Sequence, residues 1–503
     1  MKSSVSGTPT ILSSPKKIKT DFWQESVFVP LLASLAVGLL AVSSDSFWID
    51  EGLSAVKAIA PTPVAVWQEL RTEGNTNLHM LLYMFALWAW EKLAGPSEWA
   101  LRAMNIPFYM LGVAALWGAV PRVMRPCLLA FCLLSPFLWF YLNEARTYSM
   151  LFGFSAVATA ALVEWLDHGK DPFFAWARWG WILSLSLVAL IWTHVVGLVF
   201  ELAVAILVFT HVGRRGLPAL LCKVWAPMMF LAATNLALVG YVLWTKTQGV
   251  EANPIGKTNV LGFVYWLYEF GGLSGLGPNR NELRINPFAS LRPYFLPLGF
   301  LGLAWSAVLL GGWKSLCSSP WRRQAACLAF FLVLIPLLTF LLIGVWQGIR
   351  FLPRYAVSSY PAFALLASFF LCAAWTAGGW RRWAGLLWLL ALGVSCLNLR
   401  FNPAHAKDDY RGVAQWLTAR KIPAENIWWA ADAAGARFYA LENAEVMMSP
   451  SLSSLDSLPR PDWIVLSKPD IYDGNGAIRD YLAKQPSEQV ASFQSFVLYR
   501  VLK

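Results

Sequence analysis

Two acids stand side by side in the segment SSDSFWIDEGLSAVKAIA, Asp50 and Glu51, just past the first long apolar run. A carboxylate at the water edge of a membrane can take a proton from an attacking hydroxyl, a contribution of roughly 100- to 10,000-fold in rate. Asp50 is the candidate base, and Glu51 beside it and Glu144 further on are counted with it as catalytic carboxylates. NTNLHMLLYMFALWAWEKLAG places His79 ahead of an apolar stretch rich in Trp, and EWALR puts Arg102 at the mouth of another apolar run. YLNEARTYSM packs Asn143, Glu144, Arg146 and Tyr148 into a short polar break. The stretch 245 to 292 holds Tyr265, Trp266, Tyr268, Glu269, Arg280 and Arg284, while GIRFLPRYAVSSYP carries Arg350, Arg354 and Tyr355. Guanidinium forks match phosphate oxygens bidentately. Acids and arginines together suit a reaction in which a hydroxyl loses a proton while an anion is held.

Each group also has a plainer reading. Acidic residues in a first helical turn complement the helix dipole by about 0.3 to 1 kcal/mol. His79 fits a helix anchor as well as a group that orients substrate, and no second His or Cys lies at metal-ligand spacing. Glu144 and Arg102 fit a structural ion pair, and arginines at helix mouths fit interfacial anchors. Charges at membrane depth are costly unless paired or facing a cavity, so these positions remain functional candidates.

The elements that must position these residues follow from composition. The chain has 503 residues, 57% hydrophobic, 15% aromatic and only 14% charged, with a mean hydropathy of +0.51. Charged residues make up about a quarter of an ordinary globular chain. Most of this surface must therefore face lipid, which excludes a large soluble enzyme and a disordered chain. The formal net charge of +11 would suggest nucleic acid in a soluble protein. Here the cations fall in short clusters between apolar runs: KKIK at 16 to 19, Arg122 and Arg125, Lys170 and Arg178, Arg214 and Arg215, Lys314 with Arg322 and Arg323, Arg381 and Arg382. That is the positive-inside pattern of a membrane protein, and no nucleic-acid partner is expected.

Apolar runs near 27–43, 100–119, 126–142, 148–166, 179–194, 196–212, 219–244, 293–312, 325–346, 355–377 and 383–397 can each cross as a helix. A further run, 78–93, forces a choice. If it crossed, the clusters at 122/125 and 214/215 would lie outside; as a helix along the outer surface, it leaves every cluster inside. The second arrangement predicts eleven spans with the amino terminus cytoplasmic. It places 44–99, 143–147, 245–292, 347–354 and the tail 398–503 outside. Residues 1–25 read as a disordered cytoplasmic stretch and 26–397 as the membrane domain; no small-residue cleavage site follows the first run, so it is an uncleaved helix. In the tail, DDYRGVAQWLTARK has helical spacing, NIWWA and DWIVLS read as buried strands, and SFVLYRVL alternates like an edge strand, predicting a small α/β domain. Asp408, Asp409 and Arg411 read as the first turn of that helix. The seven cysteines all lie in or beside apolar runs and none in the tail, so structural disulfides are not expected.

Taken in order, FWIDEG, the His-led interfacial helix, EWALR, NEARTYS, THVVG around His194, RYAVSSYP and KDDYRGVAQWL resemble the GT-C glycosyltransferases, in the branch of protein O-mannosyltransferases and lipid A aminoarabinose transferases. The resemblance covers about residues 25 to 420. It implies a polytopic α-helical membrane protein of about eleven transmembrane helices in a bacterial inner membrane. It also implies transfer of a sugar, with inversion, from a polyprenyl-phosphate lipid donor to an acceptor that the sequence does not name. Asp50 then matches the family's first-loop catalytic Asp. His79 falls where the family has His-Pro-Pro-Leu, with Met80 and Leu81 in place of the prolines. Glu144 and Arg146 match the second outer loop, usually Gln-Glu-Ala-Arg-Pro-Tyr, with Asn143 and Thr147 as departures. Arg354 and Tyr355 match the Arg-Tyr that precedes a late span, near the lipid phosphate. Some relatives use a divalent metal, which Asp50 and Glu144 could hold; the sequence commits to no cofactor. The alternative reading is a transporter or flippase of a lipid-linked sugar, although no inverted repeat or paired broken helices are visible.

Overall fold

The computed structural model describes residues 27–74, 76–167, 173–249, 258, 260–317, 320–350 and 352–502. The amino-terminal stretch expected to be disordered lies outside the described residues. Seven helices are long and apolar enough to cross a bilayer: Glu98–Ala119, Tyr148–Leu166, Val224–Thr247, Pro287–Trp313, Ala325–Gln347, Pro353–Ala377 and Trp380–Phe401. A bent pair, Arg122–Leu133 with Pro136–Leu142, and three shorter apolar helices, Phe28–Ala41, Ala177–Thr193 and Gly197–Thr210, occupy the other four apolar runs.

Helical hydrogen bonding continues from Gly197 to Thr247, yet this stretch is not one rod. Asn235 Nδ2 donates to Glu201 Oε1 at 2.6 Å, whereas 34 residues of straight helix would separate them by roughly 50 Å. The chain therefore turns back on itself between 210 and 224 and serves as two crossings. Its two ends meet again at His79: Val195 N donates to the His79 carbonyl at 3.3 Å and Thr245 Oγ1 lies 3.1 Å from His79 Nε2.

The run 126–142 is broken rather than continuous. Pro136, without an N–H, starts a new helix capped by Ser135, whose hydroxyl accepts from Leu138 N at 3.2 Å, and the axis turns by 54°. The second half delivers Asn143 to Thr147 to the site. That loop leads into Tyr148–Leu166, which packs closely on Glu98–Ala119: a Cβ on Gly153 would come within 2.7 Å of the Phe108 carbonyl oxygen. Small residues of this kind let membrane helices approach at backbone distance.

The stretch 78–93 forms the helix Leu81–Ala94, 14 residues long and too short to span. Tyr83, Met84 and Leu87 bury against Phe47, Leu70, Leu101 and Met150, forming a separate apolar core above the bundle. The tail folds into a five-stranded sheet in the order β2-β1-β3-β5-β4. Its strands are β1 (Ile427–Ala430), β2 (Glu445–Val446), β3 (Trp463–Ser467), β4 (Ser487–Phe493) and β5 (Phe496–Val501). β1 runs parallel to β2 and β3, and β5 pairs antiparallel with β3 and β4. The expected edge strand, SFVLYRVL, is therefore internal, because the more polar Ser487–Phe493 pairs outside it. Asp409 caps the helix Tyr410–Ala419 through Gly412 N at 2.8 Å. The described cysteines Cys127, Cys132, Cys327, Cys372 and Cys396 are free thiols.

Candidate functional site

The helix Ile49–Ala58 begins directly after the first apolar helix and presents Asp50 and Glu51 in its first turn. The two acids part company at once. Glu51 is wholly buried and fully engaged. Its Oε1 accepts from Arg102 Nε at 2.8 Å and Ala145 N at 2.7 Å. Its Oε2 accepts from Arg102 Nη2 and Lys407 Nζ, each at 2.8 Å. Burial pushes this carboxyl up, but the Arg102 and Lys407 charges outweigh it and hold it down at about 2. Arg102 is equally sealed: Nη1 also donates to the carbonyls of Ser43 at 3.0 Å and Asp45 at 2.6 Å, and Nη2 to that of Ser46 at 3.1 Å. Glu51, expected as a catalytic group, and Arg102, expected on substrate, have no valence left for a ligand. They pin the first loop to the loop 143–147, and Arg102 pairs with Glu51 rather than with Glu144.

Asp50 points the other way. Its Oδ2 accepts from Arg354 Nη1 at 2.7 Å, and both side chains stay about a quarter exposed, 23% and 25%. Burial opposes ionisation of Asp50, but Arg354 and Arg146 prevail and its pKa lies below the ordinary value. Arg146 is buried beneath the pair, with Nη1 donating to the Asp50 carbonyl at 3.1 Å, Ser54 Oγ at 3.0 Å and Asn77 Oδ1 at 3.0 Å. Its Nε is buried with no hydrogen-bond partner among the described residues. Tyr148 lies among Arg354, Arg146, Glu144 and Asp50, and Tyr355 lies 5.7 Å from the Arg354 guanidinium. Asp50, Arg146, Tyr148, Arg354 and Tyr355 thus converge from three segments more than 90 residues apart.

Glu144 lies beside this group, 1% exposed, with neither carboxylate oxygen hydrogen-bonded among the described residues. Arg280 Nη1 stands 3.7 Å away. Burial pushes the Glu144 carboxyl up to about 7 against the pull of Arg280 and Lys407.

Other expected residues sit elsewhere. His79 pairs with Thr245 on the flank of the site; its pKa is lowered by burial and by Lys246. Arg284 binds Asp470 of the tail domain at 2.9 Å and so holds tail to loop. Arg350 is exposed and makes no ion pair among the described residues with the Asp50 group. Two further residues belong here: Lys407, which the sequence does not single out, and Arg280, noted in the stretch 245 to 292. Lys407, from the linker into the tail, donates to Glu51 and to the Asn143 carbonyl; burial lowers it to about 8. Arg280 is set by Glu269 at 2.7 Å. A small apolar crevice lined by Ala119, Val120, Thr159 and Leu332 lies away from this chemistry.

No group of three or more His, Cys, Asp or Glu side chains converges among the described residues. Asp50 is already engaged by Arg354, and Arg280 and Lys407 flank Glu144. This donor set does not fit the divalent metal that the resemblance allows.

A many-span bundle carrying an acid–arginine site and joined to a small α/β domain defines a polytopic membrane protein. Two solved structures of ArnT from Cupriavidus metallidurans share this architecture over 94% of the chain and 97% of theirs, each with a TM-score of 0.54. The apo form is 13% identical, and the form bound to undecaprenyl phosphate 16%. No protein-family model and no curated protein matches the sequence.

Proposed function

We propose that this chain is a membrane glycosyltransferase that takes a sugar from a polyprenyl-phosphate carrier and passes it, with inversion, to an acceptor nucleophile at the outer face of a bacterial inner membrane. The observation that carries this reading is the half-open Asp50–Arg354 pair over buried Arg146. When the lipid phosphate enters, its oxygens compete with Asp50 for the Arg354 fork. Asp50 is then left beside the acceptor with a raised proton affinity. The bond from the anomeric carbon to the phosphate oxygen breaks as the acceptor oxygen attacks the opposite face, and the acceptor proton passes to Asp50. Charge grows on the leaving phosphate, where Arg354, backed by Arg146, stabilises it. A phosphate monoester is a good leaving group, so no general acid is required. Tyr355 lines the approach of the lipid headgroup, and His79 and Tyr148 bound the chamber.

The fold shared with ArnT, one structure of which holds undecaprenyl phosphate, supports the donor class. The inner placement of the amino terminus and the outer placement of the tail rest on the charge clusters of the sequence. The domain limits 1–25, 26–397 and 398–503 belong to the same reading. The test is direct: purified protein with labelled polyprenyl-phosphate sugar is expected to release free polyprenyl phosphate when a membrane acceptor fraction is added. A carrier that only moves the lipid would return the donor intact, and that result would overturn the reading.

A further inference from the structure

Most buried charges in this molecule are satisfied. Glu51 accepts from five donor atoms, and Lys468 reaches Asp408 at 2.5 Å. Glu144 is the exception at the site: deeply buried, with neither oxygen accepting a hydrogen bond among the described residues. An uncompensated buried polar group is expensive and persists where something other than folding requires it.

The surroundings keep it so. The Glu144 carbonyl is clamped by Asn105 Nδ2 at 2.5 Å, and Lys407 holds the preceding carbonyl. Arg280 could neutralise Glu144 by moving closer, but it is fixed at 3.7 Å. Glu269 grips its Nη2 at 2.7 Å, the Tyr141 hydroxyl lies 3.3 Å from the same nitrogen, and its guanidinium rests 3.4 Å above the Phe140 ring centre. A third of the Arg280 side chain stays exposed, which makes it the partly open neighbour of sealed Glu144.

From this we infer that Glu144 is the acceptor for hydroxyl groups of the transferred sugar, a neutral polyol whose hydroxyls reach its oxygens from beside Arg280 rather than from between the two side chains. The inference rests on the transferase reading. The charges facing Glu144 select the ligand class: Arg280, Lys407 and Arg354 are cationic, Glu51 is spent on its own partners, and Tyr141 and Tyr148 complete the wall. An ammonium group or a metal dication would meet three positive charges. A hydroxyl donates a hydrogen bond without that cost and can accept one from Arg280. Ionised Glu144 accepts two hydroxyl hydrogens and its protonated form only one, so sugar recognition strengthens as pH rises through about 7.

The experiment compares binding of bare polyprenyl phosphate with that of the same lipid carrying mannose, ribose or glucosamine, at pH 6 and pH 8, for the parent, Glu144→Gln and Glu144→Asp. The parent is expected to prefer a neutral sugar-bearing lipid over the bare one, more at pH 8 than at pH 6. Glu144→Gln should lose about 10- to 100-fold of that preference and its pH dependence, with affinity for the bare lipid within about threefold of the parent. Glu144→Asp should retain part of both. An unchanged preference in Glu144→Gln, or a preference for the glucosamine lipid over the neutral ones, overturns the inference. If Glu144→Gln does not insert, a preference in the parent that is flat between pH 6 and 8 overturns it instead. Failure of the transferase reading is read separately, as absence of donor turnover by the parent.

Discussion

Asp50 and Glu51 are neighbours in one helical turn, and each meets an arginine from a distant segment. Glu51 and Arg102 are both fully buried, with every oxygen and nearly every donor committed to protein. Asp50 and Arg354 share one 2.7 Å contact and stay a quarter exposed. The chemistry of the two pairs is the same, so residue type does not separate framework from site. What separates them is the number of partners and access to solvent. A sealed pair is hard to break because either half alone is an uncompensated buried charge; an open pair can exchange one partner for a ligand.

That contrast can be broken by mutation. Arg102→Met leaves Glu51 buried with only Lys407, Ala145 N and the long contact from Trp48 N, and is expected to cost about 3 to 5 kcal/mol of stability, seen as loss of a folded species in detergent. Arg354→Met, at the open pair, should leave thermal unfolding within about 1 kcal/mol of the parent while removing donor turnover. If both destabilise alike, the distinction between the pairs fails.

The sealed pair also sets the acid limit. Glu51 is held at about 2 in the folded state against an ordinary 4.5. Its contribution is fully present above the unfolded value and is lost as pH falls through the window from about 4.5 to about 2. Thermal unfolding scans are expected to fall steeply across that window, and a flat profile would contradict the assignment. Glu144 has the opposite sign: raised to about 7, it favours the fold when protonated and opposes it as pH rises from about 4.5 past 7. Glu144→Gln should therefore be more stable than the parent at pH 8, by about 1 to 3 kcal/mol, and no more stable at pH 4. The smallest effect is expected at the rim, where Arg284 and Asp470 are both partly exposed. Arg284→Ala should change stability by less than about 1 kcal/mol.

Much of this architecture is legible in the sequence, because lipid imposes long apolar runs and translocation sorts the cations. The apolar strands at 427–430, 463–467 and 496–501 are legible for a similar reason. Ser487–Phe493 is not, since an exposed edge strand shows little apolar pattern. At the site, charge outside the spans marks Asp50, Arg146 and Arg354, but partner choice is not encoded locally. Arg280 and Arg284 sit one turn apart on the helix Arg280–Ile285. One reaches Glu269 and faces Glu144; the other reaches the tail domain. Lys407 comes to Glu51 across 356 residues; it opens the segment KDDYRGVAQWL, but nothing in that segment points it at Glu51. The turn-back between 210 and 224 is legible as the break between the apolar runs 196–212 and 219–244, marked by Arg214 and Arg215.

The central claim is that Asp50, and not the acid next to it, takes the acceptor proton. Its most direct test is the turnover of a polyprenyl-phosphate sugar by Asp50→Asn protein shown by thermal unfolding to be folded. The account predicts a fall of about 100- to 10,000-fold in kcat with donor affinity kept or increased, since Arg354 is freed for phosphate. Turnover within a few fold of the parent would contradict it.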